Sequence, residues 1–173
     1  MADTPRSLAD LLALLPSSGR GEISAADLRD MLVSVMSIGG GMSCFEASTE
    51  QENVGETGVK LTCFDTDSNS NGVTPDHTDD SITIDVAGDY DVFFQASFTG
   101  TNGGDMEFRL RKNGTELNWG SSRVAGASNG SGSFLAIGVP LAVDDVITIY
   151  VQSDTATDDI TVRDAQFSCR MVG

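Results

Sequence analysis

The sequence predicts a mainly β chain: an antiparallel β-sandwich or jelly roll preceded by two short α-helices. Three observations carry this. Between Asp89 and Phe98, Tyr90, Val92, Phe94, Ala96 and Phe98 alternate with Asp91, Gln95 and Ser97, the period of two of a half-buried strand. Further apolar runs follow at short spacing, separated by Gly, Ser, Asn and Asp, with no helical period between them. Apolar residues at helical spacing are confined to about the first 38 positions.

From the amino end, Ser7 to Leu15 reads as a short helix with Leu8, Leu11, Leu12 and Leu15 on one face, and Ser7 and Asp10 at capping spacing. Pro16 and the polar residues up to Gly21 break it. A second helix starts at an N-cap on Ser24, with Asp27 at its positive end and Ile23 stapled onto Leu28. Leu28, Met31, Leu32 and Val35 form its apolar stripe. Gly39-Gly40-Gly41 is expected to end this helix and act as a hinge. Two helices this short need tertiary support, so their leucine faces are expected to dock on the β-domain, on each other or on another chain.

Beyond the glycines, Cys44–Ser48 and Val59–Phe64 are expected as early strands, followed by Ile82, Ile84 and Val86 in alternation. Met106, Phe108 and Leu110 should face inward, with Glu107, Arg109 and Arg111 outward, up to a hairpin turn at Asn113-Gly114. Phe134–Leu141, Val146–Val151 and Ile160–Phe167 complete the set. The division expected is a helical anchoring or collar segment over 1–41 and a β-head over 42–173. Tyr90, Phe94, Phe98, Phe108, Phe134, Tyr150 and Phe167 are its expected core or subunit-interface aromatics.

The chain has 173 residues and a formal net charge of −16, with only two lysines, Lys60 and Lys112. Such a field repels phosphate backbones and anionic lipid, so nucleic-acid binding is not expected. No apolar run reaches the ~18 residues a membrane span needs, and the amino end lacks the pattern of a signal peptide. Cys44, Cys63 and Cys169 are widely spaced without CxxC or Cys/His pairing, so buried reduced thiols are expected; a Cys44–Cys63 or Cys63–Cys169 bridge stays open.

Few residues suggest chemistry. Asp65, Asp67 and Asn69 alternate ahead of Gly72 and Asp76, a weak likeness to a calcium loop whose glycine is displaced; a solvated acidic loop is the plainer expectation. His77 is the only histidine, and no nucleophile is placed beside it by motif, so the chain is not expected to be an enzyme. No cofactor is expected. Trp119 and Arg123, in a polar segment after the hairpin, are candidate ligand contacts, although core or interface packing is the plainer reading of Trp119.

Three segments resemble the tumour-necrosis-factor-like jelly roll, the fold also used by the globular heads of complement's first component. Gly88 to Phe94 is similar to that family's Gly-x-Tyr strand, Leu135 to Val151 to its paired strands across an acidic turn, and Ala165 to Val172 to its C-terminal strand, with Cys169 where a glycine is usual. The early aromatic motif of the complement-type members is missing. The resemblance covers about 130 residues and implies a non-enzymatic homotrimer that binds proteins or glycans.

The segment Leu8 to Leu15, followed by Gly21 to Val35, resembles a stretch near the start of tailed-phage fibre and virion proteins. It implies a structural virion protein, assembled in the host cytoplasm and displayed on the virion surface. The form expected is a trimeric head fibre, spike or decoration protein anchored by Leu8, Leu11, Leu12, Leu15, Leu28, Met31, Leu32 and Val35. Its partners would then be its own copies and capsid, portal-proximal or tail proteins. The alternative is a tail-tip module that binds a host-surface glycan or protein.

Overall fold

A computed structural model describes residues 38–48, 50–101, 103–126 and 128–172. The helices expected over Ser7–Leu15 and from Ser24, and with them the eight anchoring residues, lie outside the described residues. The described residues form twelve strands: β1 Gly39–Cys44, β2 Glu50–Gln51, β3 Val59–Lys60, β4 Thr66–Asp67, β5 Val73–Asp76, β6 Ser81–Ile84, β7 Gly88–Gly100, β8 Met106–Lys112, β9 Thr115–Val124, β10 Asn129–Leu141, β11 Val146–Ser153 and β12 Ile160–Met171. One sheet runs β10-β7-β12-β1-β4, with β2 added on β12; the other runs β5-β6-β11-β8-β9, with β3 added on β11. Every described pairing between strands is antiparallel. Among the described residues no helix is long and apolar enough to cross a membrane.

The core lies between the two sheets and is built by the alternation read from the sequence. Tyr90, Val92, Phe94, Ala96 and Phe98 of β7 and Met106, Phe108 and Leu110 of β8 are buried. Phe94 stacks at 5.2 Å on Phe108 and 5.5 Å on Phe134, and Phe98 meets Phe108 edge-on at 5.3 Å. Phe167 packs at 6.1 Å from Phe64. Burying each such ring contributes roughly 1.5–3 kcal/mol. Tyr90 is also buried because its hydroxyl donates to the Val86 carbonyl at 2.6 Å.

Tyr150 departs from the aromatic set. It sits between the buried Ile149 and Val151, so alternation turns it to the outer face of β11, where the Arg111 guanidinium lies 3.8 Å above its ring. It is half-buried on the outer face of the second sheet, so of the two places expected for it, core or subunit interface, it does not take the first.

The glycine run is a second correction. Gly39–Gly41 is the start of β1, paired with Arg170, Cys169 and Ser168 of β12, and not a hinge. A Cβ on Gly39 would stand 2.5 Å from the Cys169 carbonyl oxygen, and one on Gly41 2.4 Å from that of Phe167. These glycines let two backbones approach. The strand expected over Cys44–Ser48 therefore ends where it was to begin. Likewise β3 is confined to Val59–Lys60, because the Cys63 and Phe64 N–H groups turn away to the Asp80 carboxylate at 3.1 and 3.0 Å.

The Asn113-Gly114 turn is as expected: both residues have positive φ (50° and 76°), and Lys112 pairs with Thr115. The strand after it, β9, and the start of β10 carry no alternating apolar pattern in sequence, because their residues are mostly exposed and polar. There Gly132 faces inward and makes room for Phe108, whose ring a Cβ would meet at 2.6 Å.

Candidate interaction surface

The outer faces of the two sheets differ in chemistry. On the second sheet, charges neutralise one another. Arg109 is paired with Glu107 at 2.9 Å and with Glu116, while Gln152 donates to Glu107 at 3.0 Å. The Glu107 carboxylate, joined by Glu116, raises the Arg109 guanidinium above its usual range. With Arg111 on Tyr150, this face is filled by its own contacts.

The outer face of the first sheet carries a central band of small, mostly neutral side chains. Register places Leu135, Phe93, Ser168 and Gly41 in one row across β10, β7, β12 and β1. The next row is Ser133, Gln95, Gln166 and Ser43, and the third is Ser131, Ser97 and Asp164. Ser97 donates to Asp164 at 2.9 Å. These small polar groups line a shallow groove of about 470 Å³.

Apolar residues flank that groove. Leu135 is 56% exposed and Ile137 70% exposed, at the end of the sheet where β10 is the edge. A bulge between Ala136 and Val139 places Ile137 there: Gly138 takes φ +64°, and its N–H donates to Asp91 at 3.1 Å. Near Asp164, Phe45 is 76% exposed, its neighbour Glu46 donating its N–H to that carboxylate at 3.2 Å. The sequence held a signal for two of these. Once Phe134 and Ala136 face the core, Leu135 and Ile137 must face out. Nothing in the sequence marked Phe45.

The other candidates fall elsewhere. Trp119 is 47% exposed on the edge strand β9, within the irregularity between the Arg109↔Ser121 and Arg111↔Glu116 pairings. Arg123 grips Asp105 through Nε at 3.0 Å and Nη2 at 2.6 Å. It lines a small cleft of about 160 Å³ with Glu56, Glu107 and Asp154 that does not include Trp119. The Gly126 N–H, with Arg123, holds the Asp105 carboxyl below its usual range.

The calcium-loop residues are not gathered. Asp67 accepts from the backbone N–H of His77 and faces its Nδ1, both at 2.8 Å, while Asp65 accepts from Thr66. Asp76 accepts the N–H groups of Thr78 and Asp79. Asn69 borders a different hollow, with Ile38, Ser70 and Arg170. Among the described residues no group of three or more His, Cys, Asp or Glu side chains is placed to hold a metal ion.

No family model and no curated protein matches the sequence. Solved structures do resemble the fold. Eiger TNF from S. frugiperda superposes with a TM-score of 0.62 at 10% identity, over 79% of this chain and 93% of that one. The globular domain of zebrafish complement 1qA gives 0.53 at 15% identity, over 79% and 98%. Murine APRIL gives 0.53 at 11% identity, over 78% and 99%. At such identities the likeness speaks for architecture alone: the chain has the tumour-necrosis-factor-like jelly-roll fold.

Proposed function

We propose that this chain is a non-enzymatic structural protein that assembles as a homotrimer through the outer face of the β10-β7-β12-β1 sheet. In this reading its N-terminal segment anchors the trimer to a virion as a head fibre, spike or decoration protein. The observation that carries the assembly is the exposure of Leu135, Ile137 and Phe45 around a groove of small polar side chains, opposite a sheet face where Arg109 is paired with Glu107 and Glu116. Leu135 and Ile137 lie close together on the β10 edge and Phe45 beyond the other end of the groove, and exposed apolar groups of this kind on a highly charged protein support an interaction site. The virion assignment rests on the resemblance of Leu8 to Val35 to fibre proteins, and capsid, portal-proximal or tail proteins would be its partners.

A receptor-binding role is the second reading, favoured by the half-exposed indole of Trp119 on β9, the last strand of its sheet, where a glycan or protein of the host surface would dock. The test of assembly is the native mass of the full chain by light scattering, beside a Leu135→Asp/Ile137→Asp variant. The wild type should run near three times 18.1 kDa and the folded variant near one chain mass. A wild-type monomer would remove the proposal.

A further inference from the structure

The chain enters the described fold at one end of the sandwich, and the tether there is short. The Ile38 carbonyl accepts the Met171 N–H at 2.9 Å. The Ile38 side chain is buried, and a Cβ on Gly72 would meet both it at 2.8 Å and Val86 at 3.2 Å. Because Gly39–Gly41 belongs to β1, only Met36 and Ser37 separate the apolar stripe Leu28, Met31, Leu32 and Val35 from that fixed point. Three residue steps span at most about 11 Å, so Val35 stays within that distance of Ile38.

Apolar groups are exposed at the same end. The Val172 N–H donates to the Asp89 carbonyl at 2.9 Å and Pro140 pairs with Asp89, so Val172 and Pro140 stand on either side of it. One position further, Leu141 pairs with Gly88, which brings Ala87, Ala142 and Val143 to the rim. The turn holding Val143 is tied to the strand that leads into Val86 by the Asp144 N–H on the Ile84 carbonyl at 2.8 Å. Val143 and Val172 are each about half exposed, and Pro140, Ala87 and Ala142 are exposed too, interspersed with Asp85, Asp89 and Asp144.

We propose that this end face is the seat of residues 28–35 of the same chain, whose apolar stripe covers Val172, Val143 and their neighbours. Two arguments select this occupant. A segment on so short a tether stands at an effective concentration on the order of millimolar, which a diffusing partner at micromolar protein does not match. Residues 31–37 carry no charge, whereas a second copy would bring its own three aspartates against these. The stripe in turn needs such a surface, because apolar residues at helical spacing over so short a stretch are marginal without tertiary contacts. Head and segment then move as one body, and Leu8, Leu11, Leu12 and Leu15 are left to contact a particle. The inference needs neither the trimer nor the virion reading.

The test is limited trypsin digestion of the full chain read by mass spectrometry, in which Arg29 reports the seat and Arg20 is the internal control. Cleavage after Arg29 requires the segment to leave its seat, so its rate follows the population of the open form. Val143→Asp/Val172→Asp and, from the other side, Leu32→Asp/Val35→Asp should each speed that cut by about tenfold or more. The cut after Arg20 should stay unchanged and the head should still melt cooperatively. The second pair lies outside the head, so it reads the seat even if the first pair disturbs folding. Light scattering on the same samples reports assembly separately: a single-chain wild type with a slow cut at Arg29 keeps this inference and removes the trimer. Equal rates at Arg29 in wild type and variants, or a slow cut that becomes fast when dilution separates the copies, would overturn it.

Discussion

A single carboxylate organises the least regular part of the head. Asp80 is 7% exposed, takes a positive φ of 44°, and accepts the backbone N–H groups of both Cys63 and Phe64. Burial raises its pKa, while those N–H bonds pull it back. Asp80→Ala would strand two buried donors, each of which costs about 1–3 kcal/mol when unmatched. We expect the variant to lose about 2–4 kcal/mol in urea unfolding, and Asp80→Asn, which keeps an oxygen and tolerates the left-handed backbone, to lose far less. Equal losses would mean that the charge, and not the acceptor, holds the loop. No local pattern announces this role: Asp79-Asp80 reads as an exposed acidic turn, and its partners lie 16 and 17 residues upstream. The inward aromatics were legible because alternation is local. Tyr150 lies outside the core by the same alternation, which turns Ile147, Ile149 and Val151 of β11 inward and Tyr150 outward.

At the scale of elements, short strands are held by side chains as much as by ladders. β4 meets β1 through only two residue pairs, and His77 clamps it from outside by two contacts to Asp67. The hydrogen bond to Asp67, helped by the charges of Asp67, Asp76 and Asp65, raises the His77 pKa above its usual value. The sign follows from linkage: the contribution is fully present below the unfolded-state pKa and is lost as pH rises through the higher folded one. Melting temperatures of the wild type and His77→Ala should therefore differ at ~pH 5.5 and converge toward ~pH 9. A gap that widens with pH would contradict the pair. Long strands with one apolar face, such as β7 and β8, were legible for the reason that β9 and the first half of β10 were not. Those two strands carry Gly, Ser and Asn, and their pairing is set by neighbours rather than by their own residues. The bulge that exposes Ile137 follows the same rule, since only the Gly138 contact with Asp91 on the neighbouring strand fixes it.

For the whole molecule the decisive quantity is charge. A chain with a net charge of −16 that associates must bring like-charged bodies together, so the proposed trimer forms against its own field. Which face is used decides how salt acts. On the β10-β7-β12-β1 face, contact would be made by Leu135, Ile137, Phe45 and neutral Ser and Gln side chains, with Asp164 already bonded to Ser97. Apart from the Arg170–Asp91 pair beside Ile137, such contact draws little on Coulomb attraction, and the long-range repulsion is what responds most to ions. The opposite face carries Arg109, Arg111 and Glu107, and an interface there would depend on charge pairs between copies. Raising ionic strength from ~0.01 to ~0.15 M shortens the Debye length from ~30 to ~8 Å. We expect this to shift assembly to lower protein concentration in sedimentation runs across a dilution series. If salt instead dissociates the trimer, the copies are held by charge pairs, and the apolar face around Leu135 and Ile137 is not where they meet.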